Sequence, residues 1–207
     1  MWQKTILGTC VIAAGAMLGG VGQASANTDL TDVCPDTIRM ADTGLKGMGP
    51  LDQAFGPFAE VFQEKTGLQL KLYSLANRTA AGNALQYDEV DLVFAGPSEF
   101  VLFQQEVDDG VEILFDIKRP YYGTTFLTKA STDITELEDL EGKHIALKDV
   151  GSTSGHIWPT KMLVDAGLDP DEDLQITMAG DAFVHALVNG DVVAIGGGND
   201  DADYIRE

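Results

Sequence analysis

Apolar positions recur along this chain in two rhythms, and the alternation between them predicts the elements. Ile38-Arg-Met-Ala41 reads as a short strand that runs into a glycine-rich turn over 42–49. Pro50 opens a stretch in which Leu51, Phe55, Phe58 and Phe62 fall four, three and four residues apart, the spacing of one buried helical face, and Gly67 ends it. Residues 68–75 alternate like a half-buried strand, and 79–87 read as a helix. The continuous apolar run Val90-Asp-Leu-Val-Phe-Ala95 predicts a buried strand, after which Pro97 starts a helix with Ser98 placed to cap it. Val111-Glu-Ile-Leu-Phe115 is the next strand. The resulting β-α-β-α-β-α-β order implies a mostly parallel sheet with right-handed crossovers and ligands at the carboxyl ends of its strands.

The rhythm breaks over 116–123 and resumes with a strand at 124–128, which predicts a crossing into a second lobe. A short helix over 134–140, a strand around Ile145 and a helix reaching Gly167 follow. Strands at 174–178 and 192–195 then flank a helix over 181–188 whose Phe183, Leu187 and Val188 face inward. The expected division is 27–117 for the first lobe, 118–123 for the hinge crossing, 124–198 for the second lobe, and 199–207 for the start of a return to the first. No self-similar period relates the halves, and the sequence reads as a C-terminally truncated one that lacks the return segment.

The chemistry-bearing stretch is Asp149-Val-Gly-Ser-Thr-Ser-Gly-His156, between the strand and the helix of the second lobe. A strand that ends in such a turn and feeds a helix leaves backbone N–H groups and the hydroxyls of Ser152, Thr153 and Ser154 at the positive end of a helix dipole. The stretch holds no Lys or Arg, so an anion seated there rests on neutral donors, which suits reversible binding better than chemistry.

The first 26 residues read as an export signal: Lys4, an apolar Gly/Ala-rich run, and Ala24-Ser25-Ala26 as the cleavage pattern. An uncleaved anchor is the weaker alternative, because glycines interrupt a run already short for a membrane span, and a lipoprotein through Cys10 is weaker still. Cleavage leaves Cys34 as a lone cysteine, either a semi-buried thiol or one paired outside this chain. Removing Lys4 from 13 basic residues leaves 12 against 33 acidic, a net charge of −21. So acidic a chain is unsuited to nucleic acid or anionic membranes. Ser154 and His156 stand at i and i+2, on different sides of a helix, which excludes a nucleophile–base pair. His144, His156 and His185 lie on separate elements without metal-ligand spacing, so neither a metal nor another cofactor is expected. The same reasoning leaves no enzyme: a phosphate-ester hydrolase needs a metal or a general base that the sequence does not supply. Glu99 is the anomaly, a carboxylate beside an anion cleft that costs affinity unless it accepts from a ligand OH or turns away.

Taken together, Asp91-Leu-Val-Phe-Ala-Gly-Pro97, Leu137-Glu-Asp-Leu-Glu-Gly-Lys143, Gly151-Ser-Thr-Ser-Gly-His156, Ala166-Gly-Leu-Asp-Pro170 and Ala186-Leu-Val-Asn-Gly-Asp191 resemble the phosphate/phosphite/phosphonate-type periplasmic substrate-binding proteins of ABC transporters. The resemblance implies the two-lobed α/β periplasmic binding protein fold, closing about a hinge on a small oxyanion for delivery to a membrane permease. It also allows a sensory module that presents its closed form to a membrane histidine kinase. It implies that Ser152, Thr153, Ser154 and Gly155 hold the anion, faced by Thr43, Gly44, Pro97, Ser98 and Phe100, with Asp181 at the margin; Tyr122, at the crossing, reads either as a wall of the cleft or as hinge packing. Three departures argue against an aminoalkyl phosphonate: Phe100 where the family places Tyr, Gly180 for a His before Asp181, and Val193 for an Asp.

Overall fold

The computed structural model describes residues 30, 34–199 and 201. The export signal at 1–26 therefore lies outside the described residues, as does most of 199–207. Two sheets carry the fold, a parallel one in the order β2-β1-β3 and a four-stranded one in the order β4-β7-β5-β6.

In the first sheet, β1 (Thr37–Asp42) lies between β2 (Gln69–Tyr73) and β3 (Leu92–Phe94), parallel to both. The crossovers are α1 (Met48–Thr66) and α2 (Ala80–Gln86), and α3 (Pro97–Glu106) follows β3. Gly67 ends α1 with φ 77°, a left-handed cap that favours glycine. Arg39 and Asp91 fix the register of β1 against β3: Arg39 N and Nε donate to Asp91 Oδ2 at 2.7 and 2.9 Å, and Nη2 donates to Oδ1 at 2.6 Å. Although burial alone would raise the Asp91 carboxyl, these bonds hold it below its ordinary pKa.

In the second sheet, β5 (His144–Leu147) and β7 (Ala194–Gly198) are central, β6 (Gln175–Met178) runs parallel to β5, and β4 (Thr124–Thr128) runs antiparallel to β7. Helices α4 (Trp158–Asp165) and α5 (Phe183–Asn189) cover it. The alternation of β5 divides the core: Ile145 and Leu147 pack with Leu140, Leu163 and Leu168, while Ala146 packs with Phe183, Leu187 and Ile195 on the other face. Gly196 is required by that closeness, because a Cβ would stand 2.6 Å from Leu147 Cδ2 and 3.0 Å from Pro159 Cβ.

Several expectations are corrected. The run 111–115 pairs with no strand among the described residues, and Ile113, Leu114 and Phe115 are exposed, since the first sheet described ends at β3. Of the α1 stripe only Leu51 is buried; Phe55 meets the ring of Phe94 on the edge strand at 5.4 Å, and with no strand beyond, Phe58 stays 42 % exposed. Residues 134–140 shrink to a 3-10 turn, Leu137–Leu140, capped reciprocally by Glu136 and Asp139. The last strand lies two residues later than expected, and Val188 points outward while Phe183 and Leu187 are buried. Cys34 is disulfide-bonded, its other half outside the described residues, and so is not the lone thiol expected. No helix among the described residues is long and apolar enough to cross a membrane.

Candidate functional site

The turn between β5 and α4 is built by Asp149–Gly151 and a single wide turn, Thr153–Ile157, ahead of α4. Ser152 caps it, its Oγ accepting from Gly155 N–H at 3.3 Å. Gly155 lies against the Lys148 side chain, where a Cβ would come within 2.6 Å of Lys148 Cβ. His156 folds back so that Nδ1 accepts from Gly151 N–H at 3.1 Å, and burial holds its pKa below the ordinary value. The backbone N–H groups of Thr153 and Ser154 find no acceptor among the described residues, as the first turn of a helix dictates.

This turn faces the first lobe across a polar seam. Ser98 Oγ lies 2.8 Å from Gly151 O and 2.7 Å from Thr153 Oγ1. A carbonyl only accepts, so the Ser98 proton goes to Gly151 and Thr153 donates to Ser98. Thr153 Oγ1 in turn accepts from Ser98 N–H at 3.1 Å. Ser98 therefore bridges the lobes and does not cap α3, whose N-cap is Gly96. Lys46 Nζ meets Asp149 Oδ1 at 2.6 Å, and Arg78 Nε stands 3.6 Å from Asp149 Oδ2.

Behind the seam lies an ion pair that the sequence reading did not find: Arg78 Nη1 donates to Glu99 Oε1 at 2.7 Å, with the side chains 14 % and 3 % exposed. The turn after β1 is tied to it. Asp42 is buried and accepts from Gly44 N–H at 2.7 Å and Leu45 N–H at 2.6 Å, while Thr43 N–H donates to Phe94 O at 3.1 Å. The donors of Thr43 and Gly44 are thus already engaged in this conformation. Burial pushes the Asp42 carboxyl above its ordinary pKa, against those two bonds and the charge of Arg78.

The expectation that only neutral donors surround the seat is corrected in space, because Arg78 and Lys46 reach it from turns of the first lobe and Lys148 flanks it at the end of β5, each matched to a carboxylate. Arg78 carried one legible cue, a cation just past the carboxyl end of β2, where ligands of such sheets gather. Of the other expected residues, Pro97 occupies the first turn of α3, Phe100 is half-buried on it, and Asp181 is exposed ahead of α5. Tyr122 and Ser154 line a separate cavity of about 290 Å³ with Thr124, Trp158 and Met162. Among the described residues no group of three or more His, Cys, Asp or Glu is placed to hold a metal ion.

The sequence profile of the ABC transporter phosphonate periplasmic substrate-binding proteins matches residues 50–207. The chain belongs to this family. A phosphate-import protein, PhnD, of Mycolicibacterium smegmatis is 26% identical over 196 residues, 88% of this chain and 60% of that protein. The chain thus spans about 60% of the length of that curated relative. PhnD1 of Prochlorococcus marinus, solved in complex with methylphosphonate, superposes with a TM-score of 0.71 at 18% identity, covering 83% of this chain and 66% of that one. The periplasmic aliphatic sulphonate-binding protein SsuA of Escherichia coli gives a TM-score of 0.55 at 19% identity over 78% of this chain and 50% of that one. At such identities these structures share the fold, the two-lobed periplasmic binding protein architecture of the phosphonate-binding family.

Proposed function

We propose that this family member is an exported periplasmic protein that captures a small oxyanion, of the phosphonate, phosphite or phosphate kind, and hands it to an ABC permease. The observation that carries the reading is the turn Ser152–Gly155. It starts a helix, keeps the N–H groups of Thr153 and Ser154 unspent, and faces the other lobe through Ser98. Anion oxygens are held there by those N–H groups and by the hydroxyls of Ser152, Thr153 and Ser154. Closure turns about the crossing at 118–123, and Ser98 and Thr153 release each other to make room for the guest. Family membership and the phosphate-import relative support the substrate class and a site of action outside the cytoplasm.

Thermal melting against phosphate, phosphite, methylphosphonate, sulfate, arsenite and arsenate tests the reading. The true ligand stabilises the fold by RT ln(1 + [L]/Kd) and so raises the melting temperature. A panel in which no oxyanion moves the transition rejects it.

A further inference from the structure

Glu99 Oε2 and Arg78 Nε are both buried and hydrogen-bonded to nothing among the described residues. The two side chains share one bond, Arg78 Nη1 to Glu99 Oε1 at 2.7 Å, which leaves one carboxylate oxygen without a donor and one guanidinium N–H without an acceptor. Asp149 Oδ2 stands 3.6 Å from Arg78 Nε, beyond hydrogen-bonding reach. Thr153 Oγ1 cannot serve Glu99 either, although both crowd Gly96, where a Cβ would lie 2.3 Å from Glu99 Oε2 and 3.0 Å from Thr153 Oγ1. The Thr153 proton is committed to Ser98. The cavity that Arg78, Thr79, Glu99 and Gly151 line measures about 20 Å³ in this conformation, too small for a tetrahedral anion until Ser98 and Thr153 release each other.

A guest that satisfies both orphans must offer a proton and a lone pair from one centre. Resting on the oxyanion reading above, we infer that Glu99 and Arg78 select a singly protonated tetrahedral oxyanion, a hydrogen phosphonate or hydrogen phosphate. The ligand O–H donates to Glu99 Oε2, and an ionised oxygen accepts from Arg78 Nε. A sulfonate or sulfate has no proton to give at neutral pH, so it sets oxygen lone pairs against the carboxylate and is refused.

Methylphosphonate and methanesulfonate have nearly the same shape, and as monoanions they differ by a single proton. Calorimetric titration of the full chain with each at neutral pH should show a roughly 10- to 100-fold preference for methylphosphonate. Glu99→Gln supplies an amide N–H that accommodates the sulfonate, and should narrow that preference by about tenfold or more. Equal affinity of the wild-type chain for both ligands, or an unchanged ratio in Glu99→Gln, overturns the inference and leaves the oxyanion reading standing. Binding of neither overturns the oxyanion reading and this inference with it. Circular dichroism shows whether Glu99→Gln folds, and if it does not, the wild-type ratio alone decides.

Discussion

At the scale of single residues, the hydroxyls of the seat have unequal roles. Ser152 spends its lone pair on Gly155 N–H, so Ser152→Ala should lose a cap worth about 1 kcal/mol of stability as well as a ligand donor. Thr153 ties the lobes, and Thr153→Ala should leave the melting temperature of the second lobe nearly unchanged while abolishing the ligand-induced shift; a shift equal to wild type would remove Thr153 from the site. His156 adds a pH dependence. Its folded pKa lies below the unfolded value near 6.5, so the unfolded chain binds the proton more readily. Stability is therefore whole above that value and falls as pH drops through the window beneath it. Protonation also removes the Nδ1 acceptor from Gly151 N–H. Melting followed from about pH 7.5 to about 5 should show this slope, and His156→Asn should flatten it.

At the scale of elements, what was legible in the sequence is what is local. The strands around Met40, Leu70 and Ile145 and the cap at Gly67 follow from period, apolar runs and glycine, all decided within a few residues. The strand expected at 111–115 failed for the opposite reason: its Val, Ile and Phe content is strand-like, but a ladder requires a neighbour that no local pattern reveals. The seat turn was legible for its Gly-Ser-Thr-Ser-Gly composition. The cluster of Asp42, Arg78, Glu99 and Asp149 was not, because four separate segments supply it. Asp91 shows a similar ambiguity, since a motif that suggests the family turns out to clamp β1 to β3 through Arg39. With both side chains about a third exposed, Asp91→Asn should cost no more than about 1 kcal/mol and lower the denaturation midpoint without altering the urea m-value.

At the scale of the whole molecule, each lobe has its own sheet and core, and the contacts described between them are polar: Ser98 with Gly151 and Thr153, and Lys46 and Arg78 with Asp149. Ion pairs of this exposure lie within reach of the solvent, with the Lys46 and Asp149 side chains 40% and 19% accessible. Dissolved ions screen such pairs over about 3 Å at about 1 M. The grip between the halves therefore answers to ionic strength, where an oily joint would tighten. Small-angle scattering of the ligand-free chain should show the radius of gyration growing from dilute buffer to about 1 M sodium chloride, and a constant radius would mean that something other than charge holds the halves together. A seam of charges and hydroxyls is thus the part of this molecule most open to adjustment by the salt around it.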